Sequence, residues 1–340
     1  MIRIKAVFSA TDVQPSRLKQ SNGNPLHQEK ENPYFASSNP LRLQTQFFMS
    51  ESSASPLSQQ SDNHKLVAMA VYSFVMFVGC YLLYNLAFML VTACVAATFQ
   101  IPTEIHYWKT VFNIPLWWWN QPNVIFTFSS GPISCVVMGA ICLRLFFIFR
   151  KTRNWIRLFF LWGYHHGFNL FFGAYVAGVI SRSGFRHASN WAAIPQEIEY
   201  FIAIGALICM FLVGFLSVKF FLQMAVSQSL LVNYKRNRFI TAVVFVPWFF
   251  GALSIILMKT PNITYNESLI FLMMFTSVVP VYIAQRFFYE VSILRFDKKI
   301  NIQWKWLIIL GLAMFAFRYV LQDGILVQFF PEVKIEWINH

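Results

Sequence analysis

Charge is what this chain has least of. Asp, Glu, Lys and Arg make up 12% of its 340 residues, about half of the ~25% usual for a soluble domain. That shortage excludes disorder for the bulk of the chain, because disordered segments depend on charge and low hydrophobicity. It also argues against a water-soluble enzyme. No C-x-x-C occurs, and Cys80, Cys94, Cys135, Cys142 and Cys209 all lie inside apolar runs. A disulfide framework in a polar loop is therefore excluded, and the thiols read as small packing side chains. H-E-x-x-H, G-x-x-x-x-G-K-[ST] and G-x-S-x-G are missing as well, so the zincin, P-loop and hydrolase-elbow chemistries have no residues to stand on. No polar segment is long enough for a catalytic domain, and no inverted repeat is visible, which weakens a transporter reading.

Apolar and aromatic side chains fill the gap. Hydrophobic residues reach 57% and aromatic ones 18%, with 38 Phe and 11 Trp. One soluble core of this size would leave large apolar patches in water, so the expected solvent is lipid. A membrane span needs about 20 apolar residues. Seven stretches qualify: 66–98, 131–149, 157–180, 200–223, 239–258, 269–288 and 304–322. The sequence thus predicts an all-α, polytopic transmembrane helical bundle of about seven spans over 66–325, with a polar tail at 1–65 and a short C-terminal tail at 326–340. The first run, at 1.5 Å per residue, reaches about 50 Å against a hydrocarbon core of about 30 Å. It is expected to tilt, to project, or to break near Gly79. The tail, rich in Ser, Gln, Asn and Pro, reads as disordered. Ile2 to Ala10 is too short and interrupted for a signal peptide, and Glu29, Glu31, Glu51 and Asp62 do not suit a transit peptide. Met49, just before a Ser-rich lead into the first span, is an expected alternative start of translation.

The net charge of +13 would suggest nucleic acid in a soluble protein. Here it sorts by loop. Arg150, Lys151, Arg153 and Arg157 separate spans two and three; Lys235, Arg236 and Arg238 separate four and five; Arg295, Lys298, Lys299 and Lys305 separate six and seven. The other loops carry only Lys109, then Arg182 and Arg186, then Lys259. The positive-inside bias then places the N-terminus in the cytoplasm and the C-terminus outside. It leaves nucleic-acid binding without support and points to a bacterial cytoplasmic membrane. The expected partners are the bilayer and a membrane protein or a second copy of the chain, with no cofactor and no metal. Trp117, Trp118 and Trp119, between Pro115 and Pro122, suit the membrane–water boundary, as do Trp304 and Trp306. A ligand-stacking platform is the sharper reading of the three consecutive indoles. Arg144, Lys219 and Arg286 stand near span ends and read as snorkelling cations.

Span three carries the candidate chemistry. His165 and His166 lie about 12 Å along the axis from Arg157, too deep for an interface. Asn169 follows one turn later, within reach of either imidazole. Gly163/Gly167 and Ala174/Gly178 form two small-xxx-small pairs that let another helix approach, with Gly173 beside that seam. Intramembrane ionisable groups are functional candidates by default, so a proton relay, a ligand pocket or a metal site stands against simple packing of a central helix. Adjacent imidazoles diverge by about 100° and make a poor metal pair. Asn85 in span one and Arg318 in span seven complete the candidate polar set, and Arg318 has Gln322 and Asp323 nearby. Arg182, Arg186 and His187 near Glu197 and Glu199 read as a solvated charge cluster worth little, with Ser183-Gly184 as a turn. Asn262-Ile-Thr and Asn266-Glu-Ser are formal glycosylation sequons.

The run Leu158 to Gly178, with Trp162-Gly163, His166-Gly167-Phe168-Asn169 and Gly173, resembles bacterial multi-pass membrane proteins of uncharacterised activity. The layout of a long first span, a polar external loop and Gly131-Pro132 opening span two is similar, more distantly, to membrane-embedded zinc metalloproteases. That likeness implies a catalytically silent relative, because Tyr84-Asn85-Leu86-Ala87-Phe88 stands where the zinc motif would be. The functional expectation is a non-enzymatic assembly, scaffold or regulatory subunit. A small-solute or proton pathway through His165, His166 and Asn169 is the first alternative, and a membrane-embedded enzyme the second.

Overall fold

The computed structural model describes residues 56–149, 154–288, 291 and 302–328. Most of the tail, Met49, the Arg150–Arg153 connector, Glu290, Arg295, Lys298 and Lys299 lie outside the described residues. The fold is a helical bundle. Five of its helices are long and apolar enough to cross a membrane: Asp62–Thr98, Gln121–Ile148, Gln196–Leu222, Tyr234–Lys259 and Tyr265–Phe287. By length and composition the chain is integral to a membrane.

Helix α1 (Pro56–Thr98) runs 43 residues without a break, about 64 Å at helical rise. It does not break at Gly79, where a Cβ would meet nothing within 4 Å. Near its polar start, Asp62 pairs with Lys235 at 2.9 Å. Helix α2 (Gln121–Ile148) begins ten residues before the expected span, because Asn120 and Asn123 close a reciprocal capping box and Pro122 sits in the first turn. Gly131-Pro132 therefore lies inside this helix and does not open it. Helix α3 (Asn154–Phe168) continues through a π-helical turn (Asn169–Gly173) into α4 (Ala174–Ser181). After a short α5 (Arg186–Trp191) come α6 (Gln196–Leu222), α7 (Asn233–Ile240), a second π turn (Thr241–Phe245) and α8 (Val246–Lys259). Helices α9 (Tyr265–Met273), α10 (Phe275–Ala284) and α11 (Lys305–Val320) complete the set.

A small sheet departs from the all-α expectation. Strand β1 (Thr103–Ile105) pairs antiparallel with β2 (Thr110–Phe112) and with β3 (Ile325–Val327), Glu104 standing opposite Val111 and Leu326. Three-residue strands are too short to show an alternation in sequence, and β3 finds its partner only through the tertiary fold. The sheet joins the first connector to the segment after the last helix.

The core sits where α3 and α4 pass between α1, α2 and α6. In the apolar window of α1, 61% is buried against the rest of the chain, but only 28% in α2. Outward side chains of α2 include Phe126, Ile133, Val137, Ile141 and Phe147, as a lipid-facing surface requires. Arg144, Lys219 and Arg286 are exposed. Arg157 is not a loop cation: it is fully buried over the Phe146 ring at 4.7 Å. Trp117 and Trp118 are exposed, while Trp119 turns inward against Phe112 and Phe128.

Candidate functional site

The α3–α4 run presents three different faces to its neighbours. On one, Gly163 and Gly167 meet α2. A Cβ on Gly163 would lie 2.8 Å from Cys142 Sγ, and one on Gly167 2.6 Å from Cys135 O and from Gly139 Cα. Backbone approaches that closely there, so the first small-residue pair is consumed within the chain. The second pair separates: a Cβ on Gly178 would meet Ser183 O at 2.8 Å in its own following turn, and Ala174 is buried beside α9. Gly173 packs against the Asn169 side chain.

The imidazoles occupy the other two faces, as their divergence on a helix requires. His165 is fully buried, with Nε2 3.0 Å from Ser217 Oγ on α6 and Nδ1 3.4 Å from Ser277 Oγ on α10. Ser217 donates its hydroxyl proton to Gly214 O at 2.8 Å and Ser277 donates to Met274 O at 2.9 Å, so either hydroxyl oxygen can accept the one ring N–H of a neutral His165. His166 is 1% exposed and Nε2 lies 3.0 Å from Phe77 O on α1. A carbonyl only accepts, which assigns the proton to that nitrogen. Phe77 and Tyr81 close over the His166 ring at 4.5 and 5.8 Å.

Asn169 reaches neither imidazole by a hydrogen bond among the described residues. Its amide nitrogen donates to Ile270 O on α9 at 3.0 Å, and its oxygen has no partner there. The π turn begins at this residue, and the wider turn breaks the i, i+4 register that the sequence reading relied on. The three residues therefore form a polar layer in which each bonds a different helix.

Asn85 and Arg318 lie apart from that layer. Arg318 donates to Met258 O at 2.8 Å and covers the Tyr107 ring at 5.2 Å. Asn85 Oδ1 accepts from Tyr81 OH at 3.4 Å and from Lys259 Nζ at 3.3 Å. Lys259 is fully buried, and its ammonium pairs with Glu267 Oε1 at 2.6 Å. The sequence reading missed this pair by treating Lys259 as a loop charge. The signal was present in Thr264-Tyr-Asn-Glu267, a capping-box pattern that the structure realises. It fixes Glu267 in the first turn of α9, facing back towards the end of α8.

The charge cluster around Arg186 is also drier than expected. Arg186 Nε bonds Glu199 Oε2 at 2.8 Å and Ser189 Oγ bonds Oε1 at 2.7 Å, with Glu199 only 1% exposed. Burial and the neighbouring Arg186 charge hold the His187 pKa below its usual value. Gly184 takes the left-handed conformation of the expected turn. Of the two sequons, Asn262 bonds Tyr107 OH and Asn266 accepts from Ser181, so both amides are engaged at the bundle end.

Among the described residues, no group of three His, Cys, Asp or Glu side chains comes together to hold a metal. No family model, curated protein or solved structure matches the chain.

Proposed function

We propose that the chain is a non-enzymatic subunit of a bacterial cytoplasmic membrane, serving assembly, scaffolding or regulation, and that it crosses the bilayer seven times with its N-terminus inside and C-terminus outside. The observation that carries the functional reading is the sealed polar layer. His165, His166 and Asn169 are each 2% exposed or less, and each holds a neighbouring helix. Groups that conduct protons need a hydrogen-bonded path, whereas the step from His166 towards Tyr81 is a ring contact. The proposed kinship to intramembrane metalloproteases is that of a silent relative, because Asn85 meets Lys259 and not a zinc ligand.

Contacts between connectors support the seven-span topology. At one end, Asp62 meets Lys235, Arg236 meets Gln285 O and Phe288 O, and Trp155 meets Trp306. At the other, the three-stranded sheet, Asn262–Tyr107 and Ser181–Asn266 gather. The first group belongs to the basic connectors and the second to the others. The α3–α4 run and α11 then join the five apolar helices as spans. Their polar residues and, for α11, its length of 16 residues keep them below the composition of an ordinary span.

The protein reconstituted in liposomes should dissipate a pH gradient no faster than empty liposomes, and it should migrate in mild detergent as one discrete assembly larger than a monomer. Proton flux lost in His165→Phe and His166→Phe would replace this reading with the pathway. Cysteine labelling of positions 109 and 235 from the same side of the membrane would overturn the seven-span topology.

A further inference from the structure

Cavities open at both ends of the bundle. The one at the sheet end, about 190 Å³, is lined by Lys109 and Glu267 together and so favours neither sign of charge. The one at the opposite end is larger, about 460 Å³, within the size range of small-molecule sites. It lies between the segment that follows α6, the start of α7 and the turn after α10. Its polar lining is Gln228, Tyr234, Arg236, Asn237 and Arg286, and no carboxylate stands among its described lining residues. This cavity goes beyond the proposed function, and it stands whichever way the bundle is oriented.

The two guanidinium groups are prepared for an anion in different ways. Arg236 is held by backbone: Nε donates to Leu231 O at 3.0 Å, and Nη1 to Gln285 O at 3.1 Å and Phe288 O at 2.6 Å. Carbonyl oxygens fix its plane but carry no charge to cancel it, and Nη2 makes no hydrogen bond among the described residues. Arg286 is exposed and makes no hydrogen bond or ion pair among them. Asn237 spends its side-chain oxygen on Gln285 Nε2 at 2.9 Å, so its amide nitrogen is what remains to be used. Asp62, at the same end, is committed to Lys235 and Ser229. Two guanidinium forks without a carboxylate suit the oxygens of a phosphate, which each fork can meet with two parallel bonds.

We propose that this cavity is a binding site for a phosphate group, held by Arg236 and Arg286 with Asn237 as a further donor. Its level in the bundle suits the headgroup of an anionic phospholipid. Arg236 stands near the start of the apolar helix Tyr234–Lys259, and Arg286 next to the end of Tyr265–Phe287. Both therefore mark the level at which an apolar span meets water. Beside them Tyr234 and Phe287 are exposed, one ring with a polar tip for the interface and one wholly apolar, fit to lie against an acyl chain. A soluble phosphate would offer the same oxygens to the same donors.

The test is calorimetric titration of the full chain, stripped of lipid in detergent micelles, at ~0.15 M salt, where exposed charges more than about 8 Å apart are screened. The probes are dioctanoyl-phosphatidylglycerol, dioctanoylglycerol and inorganic phosphate. The phospholipid should bind saturably at one per chain, and dioctanoylglycerol, with the same tails and no phosphate, about tenfold more weakly or worse. Inorganic phosphate binding as tightly as the phospholipid would name a soluble phosphate as the source, whereas binding confined to the phospholipid names the headgroup. Arg286→Gln should weaken binding about tenfold at unchanged melting temperature, and Arg236→Gln at least as much. Should Arg236→Gln fail to fold, Arg286→Gln carries the test. Arg144→Gln, which removes an exposed cation outside the cavity, should bind as the parent does. No saturable binding of either phosphate, equal binding of dioctanoylglycerol, indifference to Arg286→Gln, or an equal loss in Arg144→Gln would overturn the assignment.

Discussion

Two of the polar regions buried in this bundle differ in how they satisfy themselves, one mostly through neutral hydrogen bonds between helices and the other through an ion pair. At the centre, His165, His166 and Asn169 bond different helices, and Phe77 and Tyr81 close over the His166 ring. At the sheet end, Lys259, Glu267 and Asn85 form a charged cluster beside a cavity whose lining keeps unpartnered hydroxyls. Both sit in a medium where an unpaired polar group is costly. The centre makes its polar groups the joints between helices, leaving the Asn169 oxygen as its one unpartnered side-chain atom among those three residues. The end pairs its charges and leaves the sealed Thr92 and Thr110 hydroxyls without partners among the described residues. The difference teaches that depth in an apolar run does not by itself set what a polar group meets: the imidazoles meet neighbouring helices, whereas a lysine at a helix end meets a carboxylate that lines a cavity.

The comparison breaks most sharply at the ion pair. Lys259→Met leaves Glu267 without its counter-charge, and losing one partner of a buried pair costs about 3–5 kcal/mol. Lys259→Met/Glu267→Gln should recover more than half of that in reversible denaturant unfolding in micelles. A double variant as unstable as the single one would show that the pair is not what holds this end. Next comes Gly167→Leu beside the central layer. Its new side chain would strike Cys135 O and Gly139 on α2, an overpacking worth about 3 kcal/mol. The loss should appear in the unfolding of the isolated chain, whereas a chain of unchanged stability that loses only a partner would move this seam to the outer surface.

The smallest expected effect is a pH dependence at the sheet end. The His187 pKa is held down, first by burial and then by Arg186. A histidine that resists protonation when folded contributes its stability fully above the unfolded value of about 6.5. That contribution fades as pH falls below it, because the unfolded chain takes up the proton first. Melting temperature should be level from pH 8 to 7 and decline towards pH 5.5, less steeply in His187→Gln. A decline of equal slope in both would assign it to other groups.

Much of the architecture was legible because lipid imposes a simple rule on composition. The apolar runs located the helices, and the paired asparagines at Asn120 and Asn123 were a readable cap that the run itself concealed. The candidate site was legible only in part. His165 and His166 stood out as polar residues in an apolar segment, but their partners Ser217 and Ser277 look ordinary in sequence and come from helices far along the chain. The π turn at Asn169 redirected an amide whose i, i+4 spacing had seemed plain. Glu199 read as a surface acid and is buried under Arg186 and Ser189. Lys259 read as a lone loop charge, since the Thr264–Glu267 capping box marks where α9 starts but not that Lys259 is buried against its carboxylate.

Composition and periodicity were enough to decide the apolar solvent and the helical class, because each follows from local transfer free energies that neighbouring residues sum independently. Which imidazole meets which helix, where a carboxylate meets the buried ammonium, and where space is left unfilled were settled only by folding. Those outcomes depend on distances between residues up to a couple of hundred positions apart, set by how closely the backbones at Gly139, Gly167 and Gly214 come together.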